Sequence, residues 1–323
     1  MRMENIRSEV NGNLILSCQV AQALKILGDR WSFLILRDVF LGEHRFEDFR
    51  RRIGVARGTL TLRLNSLVEA GILYKSPYQT SPTWYEYRLT RSGADLYAVA
   101  LTAWRWEHDW VADEDHHFPL RLVHRECGST MLPEVRCEHC KNVVRSQEVR
   151  YAPGPAADHV EPVPPRFQRR SRPKISHPEG VDTNLFHLAD IIGDRWTGLV
   201  VAAMFFGLRR YDEIGAAIGI ATNILADRLK LLVNAGIVAR QAYHKKPARH
   251  EYRLTDKGRD LYGHILMMHE WADKWIVSDR GSPLLLTHKA CGKPLKTIVA
   301  CSECSEQVVV GSVSVTSVGE APG

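Results

Sequence analysis

Features that would place this chain in a membrane or a secretory compartment are missing from its sequence. The longest apolar run, residues 198–208, is far shorter than the ~20 residues that a membrane-spanning helix needs. The first seven residues, Met-Arg-Met-Glu-Asn-Ile-Arg, contain no apolar core of a signal peptide. We therefore expect a cytoplasmic protein that does not enter the membrane.

Catalytic patterns are missing as well. We find no paired carboxylates, no nucleophile with a neighbouring base and no glycine-rich phosphate loop, so we expect no enzymatic activity. Of the 323 residues, 45% are hydrophobic and 25% are charged, which is typical of soluble globular proteins, and the length indicates about two domains. A net charge of +6 favours an anionic partner only slightly.

What the chain does contain is a long internal repeat. Gly28-Asp29-Arg30-Trp31 recurs as residues 193–196, and Glu86-Tyr87-Arg88-Leu89-Thr90 recurs as residues 251–255, both 165 residues later. A period of this length is too long for a stacked solenoid repeat. It indicates two copies of a whole domain.

Apolar spacing and capping residues predict the elements of the first copy. Asp29 can begin a helix that ends at Gly42. A short helix over 46–53, the turn residue Gly54 and a longer helix over about 56–70 follow in helix-turn-helix order. Two strands around a polar tip at 79–83 predict a wing, and a final helix covers 92–110.

Several spaced motifs resemble those of the HxlR-type winged helix-turn-helix family of bacterial transcription regulators. They are Gly-Asp-Arg-Trp, Arg45-Phe46, Arg63-Leu64, Ala70-Gly71-Ile72, Tyr87-Arg88-Leu89-Thr90 and Gly93, with second copies at Arg210-Tyr211, Arg228-Leu229, Ala235-Gly236-Ile237, Tyr252-Arg253-Leu254-Thr255 and Gly258. The resemblance implies a dimer-forming domain that places one recognition helix in the major groove of DNA. Because two copies share one chain, we expect an intrachain pseudo-dimer.

The predicted fold is mainly α with small β segments: tandem winged helix-turn-helix domains, each followed by a zinc-ribbon-like segment. We place the boundaries as follows: winged helix copies at 14–112 and 183–278, ribbon-like segments at 118–150 and 283–316, and a proline-rich basic linker at 151–182. The basic residues of the linker could form a DNA-binding arm, although a solvated charge run is the more usual explanation.

Polar side chains off the apolar faces of the two recognition helices are candidates for contacts with double-stranded DNA. They are Arg57, Thr59, Thr61 and Arg63 in the first copy and Thr222, Asn223 and Arg228 in the second. Arg63 and Arg228 stand out because both copies keep them, and Arg45 and Arg210 precede helices in positions that suit phosphate contacts. Each could instead be an ordinary solvated helix residue.

The two predicted wings differ in charge. Lys245, Lys246 and Arg249 make the second wing basic enough to lie along phosphates or a minor groove. The tip of the first wing, residues 79–83, carries no charge. We therefore expect an asymmetric operator.

Six of the seven cysteines fall into a duplicated His-x2-Cys-x9-Cys-x2-Cys pattern. The first set is His124, Cys127, Cys137 and Cys140, and the second is His288, Cys291, Cys301 and Cys304. Three thiolates and one imidazole suit Zn²⁺ and leave no open position for catalysis. We expect two structural zinc ions, one within each set; reduced free thiols and a ribbon that has lost its metal are the alternatives.

The seventh cysteine, Cys18, has Thr183 as its counterpart. It lies in the first turn of a predicted helix, where the helix dipole lowers a thiol pKa. Some members of the resembled family sense oxidants or electrophiles through a cysteine near this place, so Cys18 is a candidate redox sensor. It could equally be a small buried residue.

Together these features predict a sequence-specific DNA-binding transcription regulator, a repressor, that acts as a single-chain pseudo-dimer on an asymmetric two-half-site operator. Its activity could respond to a small-molecule or electrophile effector, through Cys18 or elsewhere. A non-catalytic winged-helix and zinc-ribbon scaffold for protein interactions is the alternative, because winged helices also bind proteins. A steep fall of nucleic-acid affinity with salt would distinguish regulator from scaffold.

Overall fold

A computed structural model describes residues 12–111, 120–157, 186–245, 248–276 and 279–317. The predicted fold class is confirmed, since the protein is mainly helical with small antiparallel strand pairs. Within these ranges, none of the helices is both long and apolar enough to span a bilayer. Most of the predicted linker, residues 158–182, lies outside the described residues.

The first copy forms a winged helix-turn-helix. Its elements are α1 (Gly12–Ser17), α2 (Gln19–Leu27), α3 (Arg30–Phe40), α4 (Phe46–Ile53), α5 (Arg57–Glu69), β1 (Leu73–Thr80), β2 (Thr83–Leu89), α6 (Arg91–Asp95) and α7 (Tyr97–Trp110). The Asp29 carboxylate accepts a hydrogen bond from the Ser32 N–H and so caps α3, as predicted. Gly54 adopts a left-handed conformation at the end of α4, which provides the turn before the recognition helix α5.

The second copy repeats this order. Its elements are α8 (Phe186–Ile192), α9 (Arg195–Phe205), α10 (Tyr211–Ile218), α11 (Thr222–Asn234), β6 (Val238–Lys245), β7 (Ala248–Leu254), α12 (Asp256–Arg259) and α13 (Tyr262–Trp275). Gly219 takes the same left-handed conformation as Gly54 before the second recognition helix, α11. Leu225, Leu229 and Leu232 anchor α11 in the core, as Leu60, Leu64 and Leu67 anchor α5.

Each winged helix is followed by three short strands, but these strands pair across the repeat. The first segment carries β3 (Leu120–His124), β4 (Pro133–Cys137) and β5 (Val149–Pro153), and the second carries β8 (Leu284–His288), β9 (Thr297–Cys301) and β10 (Val313–Ser317). β3 pairs antiparallel with β10, β4 with β9, and β5 antiparallel with β8. The expected ribbons therefore do not form from 118–150 and 283–316 separately, because each strand finds its partner in the other segment.

Two compact units result, and both contain segments of both copies. The α5 unit comprises the described residues of 29–136, 186–190 and 298–317, and the α11 unit comprises those of 12–28, 137–157 and 191–297. First helices, as well as ribbon strands, of one copy therefore lie in the unit that contains the recognition helix of the other. The repeat boundaries in the sequence are therefore not the boundaries of the folded units.

In the α11 unit, α2 from the first copy packs against α9 and α13 from the second. A Cβ atom at Gly198 would lie 2.8 Å from a methyl carbon of Leu24, so the glycine leaves room for the Leu24 side chain. The Gln19 amide donates to Asp273 on α13 at 2.8 Å. In the α5 unit, the backbone N–H of Leu188 on α8 donates to the buried Glu107 of α7 at 2.6 Å. The last helix of each copy thus contacts the first helix of the other.

Candidate DNA-binding face and metal centres

Arg63 and Arg228, the most prominent candidates for base contacts, are turned toward the protein. An Arg63 Nη atom lies 3.0 Å from the Asp29 carboxylate, and Nε of Arg228 lies 3.0 Å from that of Asp194. The Arg228 side chain is only 8% exposed and that of Arg63 is 21% exposed. Their guanidinium groups are paired inside the domain rather than directed away from the recognition helices, and the contact with DNA stays a prediction.

These pairs give a reason why both copies keep the aspartate of the Gly-Asp-Arg-Trp motif. Asp194 accepts hydrogen bonds from the backbone N–H groups of Trp196 and Thr197 and caps α9, while it also binds Arg228. Asp29 combines the same two roles in the first copy. One carboxylate therefore caps a framework helix and fixes the orientation of the recognition helix.

The exposed face of α5 carries Arg57, Thr61 and Leu62. The Arg57 side chain is 77% exposed and lies 3.3 Å from Glu47, and the Thr61 hydroxyl donates to the Arg57 carbonyl at 3.0 Å. Thr59, another candidate, is half-buried. The sequence analysis missed Leu62, which is 58% exposed and offers an apolar contact on a helix face that otherwise carries polar groups.

The corresponding face of α11 has different chemistry. Thr222 and Asn223 are exposed as predicted, and they are joined by Ala226, Asp227 and Lys230. The Tyr211 hydroxyl donates to the Thr222 carbonyl and so steadies the first turn of the helix. Lys230 was missed by the sequence analysis, although its position one turn after Ala226 placed it on the exposed face.

Arg45 and Arg210 hold the wings to the helix-turn-helix units. The Arg45 guanidinium lies 4.6 Å from the ring centre of Tyr78 on β1, and that of Arg210 lies 4.9 Å from Tyr243 on β6. Both arginines are exposed and precede helices α4 and α10, so they remain available to phosphates. The signal for these stacks was present in the sequence, since both members recur at the offset of the repeat.

The second wing consists of β6 and β7, with Arg249 opposite His244. Lys246 lies outside the described residues, and β6 ends at Lys245. Arg240 extends the basic character, with one guanidinium nitrogen 3.0 Å from Nδ1 of His250. The first wing instead exposes aromatic rings.

Two groups of histidine and cysteine side chains have the geometry of metal centres. In the α5 unit the group is His124, Cys127, Cys301 and Cys304; in the α11 unit it is Cys137, Cys140, His288 and Cys291. Nδ1 of His124 lies 3.5 Å from Sγ of Cys127 and 3.3 Å from that of Cys304. Sγ of Cys127 lies 3.9 Å from that of Cys301, and all ligand atoms of a group lie within 4.8 Å of one another.

These distances fit zinc. A tetrahedral ion with Zn–S bonds of ~2.3 Å and Zn–N bonds of ~2.0 Å separates its sulfur ligands by ~3.8 Å and a sulfur from a nitrogen by ~3.5 Å. The second group agrees: Nδ1 of His288 lies 3.3 Å from Sγ of Cys140 and 3.6 Å from that of Cys291, and the sulfurs of Cys137 and Cys291 are 4.0 Å apart. Both histidines are fully buried.

All eight predicted ligands lie in these two groups, but the predicted grouping was wrong. Each group combines a His-x2-Cys pair from one copy with a Cys-x2-Cys pair from the other. The strand pairing causes this: β3 ends at His124 and pairs with β10, and the knuckle Cys301–Cys304 follows β9 within the same unit. Sequence spacing identifies the ligands but does not reveal which knuckles meet.

Backbone amides favour thiolate at the first cysteine of each set. Hydrogen bonds from the backbone of Ser129 and from His124 hold the pKa of Cys127 down at about 6. The backbone of Lys293 lowers the pKa of Cys291 in the same way. A thiolate is the form in which cysteine binds a metal, so one cysteine of each group is favoured as a ligand. Burial has the opposite effect on Cys137, whose pKa it raises.

Cys18 does not have the environment that its helix position predicts. It is the N-cap of α2, it is fully buried, and its thiol donates to the Ile15 carbonyl at 3.1 Å. Burial raises its pKa to about 11, which outweighs the backbone hydrogen bonds that favour the thiolate. The expected lowering of the pKa was wrong, and the geometry favours the role of a small packing residue.

Around Cys18 the α11 unit contains an apolar cavity of ≈ 30 Å³, lined among others by Tyr151, Tyr262 and His269. The two phenol oxygens form a 2.9 Å hydrogen bond, and burial raises the pKa of both. Burial also lowers the pKa of His269 to about 4. The residues around the thiol are therefore uncharged at neutral pH, which does not stabilise a thiolate.

Comparison with known proteins identifies both copies. The profile of the family described as HxlR-like helix-turn-helix matches residues 26–115 and 191–280. An uncharacterized HTH-type transcriptional regulator of Mycobacterium tuberculosis, Rv3095, is 36% identical over 125 residues, which cover 39% of this chain and 79% of that protein. The HTH-type transcriptional regulator YodB of Bacillus subtilis is 37% identical over 86 residues, covering 26% of this chain and 77% of YodB.

Two solved structures share sequence identity with this chain. The crystal structure of PA1607, described as a transcription factor, is 35% identical and has a TM-score of 0.38, with 42% of this chain and 93% of PA1607 covered. The reduced form of YodB is 35% identical with a TM-score of 0.26, covering 28% of this chain and 89% of YodB.

Proposed function

This chain belongs to the HxlR-like helix-turn-helix family of transcription regulators, and we propose that it is a sequence-specific repressor that binds double-stranded DNA as a single-chain pseudo-dimer. Two recognition helices in one chain can enter major grooves of two half-sites about one helical turn, ~34 Å, apart. Occupation of such an operator would exclude other proteins from the promoter.

The observation that carries the proposal is the pair of unlike recognition faces. α5 offers Arg57, Thr61 and Leu62, whereas α11 offers Asn223, Asp227 and Lys230 at overlapping positions of the repeat. An aspartate disfavours phosphate and accepts from cytosine, whereas a leucine favours a thymine methyl group. The operator should therefore consist of two different half-sites, and the chain should bind it in one orientation.

The exchanged elements support the single-chain pseudo-dimer. Each unit contains a first helix and a ribbon knuckle that the other copy supplies. A dimer of identical subunits exchanges elements in this way when its subunits associate. Here both partners lie in one polypeptide, so the effective concentration of one copy for the other does not depend on protein concentration.

We propose that each Cys₃His group holds one Zn²⁺. The ion would be bound by His124, Cys127, Cys301 and Cys304 in one unit and by Cys137, Cys140, His288 and Cys291 in the other. Zinc with four protein ligands serves to stabilise structure rather than to activate water. Each group of ligands also joins the His-x2-Cys pair that follows one winged helix copy to the Cys-x2-Cys pair that follows the other.

Selection of binding sites from random duplexes, followed by footprinting, tests the function. We expect two unequal half-sites one turn apart, a stoichiometry of one chain per operator and a reporter that is repressed when the chain is present. Arg57→Ala should weaken protection of one half-site only. A palindromic consensus, two chains per operator, or the lack of any preferred sequence would contradict the proposal.

A further inference from the structure

The apolar cavity beside Cys18 lies where elements of both copies meet inside the α11 unit. Side chains from α2 and β5 of the first copy and from α9, α13 and β8 of the second form its wall. None of the residues that line it is a metal ligand or a candidate DNA contact. The cavity is therefore a feature that neither the metal groups nor the recognition faces account for.

The volume of the cavity limits the size of a molecule that it can hold. A water-sized group needs about 10–15 Å³ of cavity volume, and the cavity measures ≈ 30 Å³. It has room for two or three such groups, whereas a benzene ring needs a far larger space. A fitting molecule therefore has two or three heavy atoms.

The wall of the cavity carries no charge at neutral pH. The phenols of Tyr151 and Tyr262 form a hydrogen bond with each other, and burial lowers the pKa of His269 to about 4. A charged molecule would lose its hydration there without gaining a counter-charge. A water molecule needs two to four polar partners, which an apolar wall does not supply. The cavity therefore favours an uncharged, apolar molecule.

The α5 unit has different chemistry at the matching place of the repeat. Arg37 and Asp38 of α3 stand where α9 has Ala202 and Ala203, and both charged side chains are almost fully buried. Nε of Arg37 donates a 2.8 Å hydrogen bond to the Asp38 carboxylate. We therefore expect an apolar molecule to bind in the α11 unit and not beside this ion pair.

Helix α9 connects the cavity with the recognition helix α11. The last turn of α9 contributes Ala202 and Phe205 to the cavity wall. At its other end, Asp194 caps the first turn and pairs with Arg228 of α11. The 11 residues of α9 span about 16 Å at 1.5 Å per residue. A displacement of α9 on binding would therefore reach the carboxylate that orients α11.

We propose that the cavity is an effector site for an uncharged, apolar molecule of two or three heavy atoms, and that its occupation changes the operator affinity of the α11 unit through α9. The effect on DNA rests on the proposed function, whereas binding in the cavity is independent of it. Because the occupant contacts helices and strands of both copies, its binding free energy adds to the stability of their packing.

The first test is a titration of full-length, zinc-loaded protein with dichloromethane, an uncharged molecule of three heavy atoms, in the absence of DNA. Methyl NMR signals of Ile265 and Leu286 in the cavity wall should shift and reach saturation. Signals of Leu122, the counterpart of Leu286 in the α5 unit, should not shift. We expect a dissociation constant of about 1 mM, because few heavy atoms limit the binding free energy.

Phe205→Leu and Phe40→Leu are a matched pair of variants. The Phe205 ring lies 5.1 Å from that of Tyr262 in the cavity wall, and the Phe40 ring lies 5.2 Å from that of Tyr97 in the α5 unit. Phe205→Leu enlarges the cavity, so it should bind chloroform, which has one more heavy atom, about fourfold more tightly than wild type does. Phe40→Leu should keep the wild-type affinities.

Ala202→Leu fills the cavity and should abolish binding of both probes, with circular dichroism and zinc content as checks of folding. Saturating dichloromethane should change the operator dissociation constant of wild type by about fivefold or more. The operator affinity of Ala202→Leu should not respond to the probe. The phenylalanine pair decides on the site even if Ala202→Leu does not fold.

Two results would overturn the inference at the level of binding: shifts that grow linearly up to the solubility limit of dichloromethane, or equal chloroform affinities in Phe205→Leu and Phe40→Leu. Saturable binding that leaves the operator affinity of wild type unchanged would overturn the role as an effector site. If wild-type protein selects no operator, the proposed function itself has failed, and the NMR titration still decides whether the cavity binds the probe.

Discussion

The two winged helix copies agree in their framework contacts and differ in most groups on the exposed faces of their recognition helices. Both keep the capping aspartate that binds the recognition-helix arginine, as Asp29 with Arg63 and Asp194 with Arg228. Both keep an arginine stacked on a wing tyrosine. In contrast, Leu62 of α5 corresponds to Asp227 of α11.

This contrast shows how recurrence within one chain should be interpreted. A charged residue that occurs in both copies of a duplicated regulator can serve the fold or contact phosphates, whereas contacts with base edges have to differ if the half-sites differ. Arg63 and Arg228 recur, and each pairs with the capping aspartate of its own copy. Residues that changed between the copies, such as Asn65 and Lys230, are the better candidates for sequence recognition.

The exchanged metal groups provide the test with the largest expected effect. We expect Cys137→Ser combined with His288→Ala to leave about one zinc ion per chain, because both ligands belong to one group. Cys137→Ser combined with His124→Ala should leave none, since it damages both groups. Elemental analysis of protein purified without chelator measures this.

The opposite pattern of zinc loss would mean that each ion is bound within one copy. Structural zinc contributes ~10 kcal/mol or more to the folding of small zinc domains, so the variant without zinc should also unfold at much lower urea concentration. Wild-type protein that is folded and fully free of metal would contradict the zinc proposal.

The aspartate–arginine pairs should contribute differently to the free energy of unfolding, and the more buried pair should contribute more. Arg228→Ala removes a partner from a mostly buried carboxylate and should lower the free energy of unfolding by ~3 kcal/mol. Arg63→Ala, where the pair is more exposed, should cost about 1 kcal/mol. Urea denaturation of zinc-loaded protein measures both. If either variant keeps its stability and lowers the salt slope of DNA binding by about one, that arginine contacts phosphate after all.

We expect Cys18 to make the stability of the α11 unit depend on pH in the alkaline range. Its folded pKa of about 11 exceeds the ordinary thiol value of 9.0, so only the unfolded chain loses the proton between these values. Stability is therefore complete below pH 9 and falls as the pH rises toward 11, by about 2–3 kcal/mol from this group. Cys18→Ala should reduce that pH dependence relative to wild type, as measured by urea denaturation at pH 8 and pH 11.

The same variant tests the expected electrophile response. A buried neutral thiol should react slowly with iodoacetamide or diamide at pH 7 while the zinc ligands remain bound. Modification of Cys18 as fast as a free cysteine, with release of operator that Cys18→Ala abolishes, would establish it as a sensor.

The smallest expected effects concern single exposed cations on the two recognition helices. Arg57→Ala and Lys230→Ala should each lower the salt slope of binding by about one and change stability by less than ~0.5 kcal/mol. Each should weaken footprint protection at a different half-site. Equal weakening at both half-sites would mean that the two helices are not bound to separate grooves.

Local patterns predicted the local structure well. Helix caps, turn glycines and leucine spacing gave α3 to α5 and their second copies, because these elements depend on residues that are close in sequence. Spacing also identified all eight histidine and cysteine residues of the two candidate metal groups. Pairing between distant segments leaves no such local pattern: in an internally repeated chain, β3 can satisfy the same hydrogen bonds with its own segment or with β10.

The direction of long side chains was the other feature that the sequence did not predict. Arg63 occupies a polar position of an amphipathic pattern, but its long side chain reaches Asp29 across the turn. The sequence does not show which way such a residue points. The burial of Cys18 likewise depends on residues far away in the chain, such as Tyr151 and His269, that close around it.

The exchanged strands have a consequence for synthesis on the ribosome. β3 emerges long before β10, its only strand partner in the described structure, and β5 emerges long before β8. Pairing across such sequence separations is slow, since a long loop has to close first. The first ribbon segment therefore waits with open strand edges until the end of the chain is made. A nascent chain that stops after the first copy would expose these edges to other chains. Division of the fused copies into two separate polypeptides would therefore be difficult.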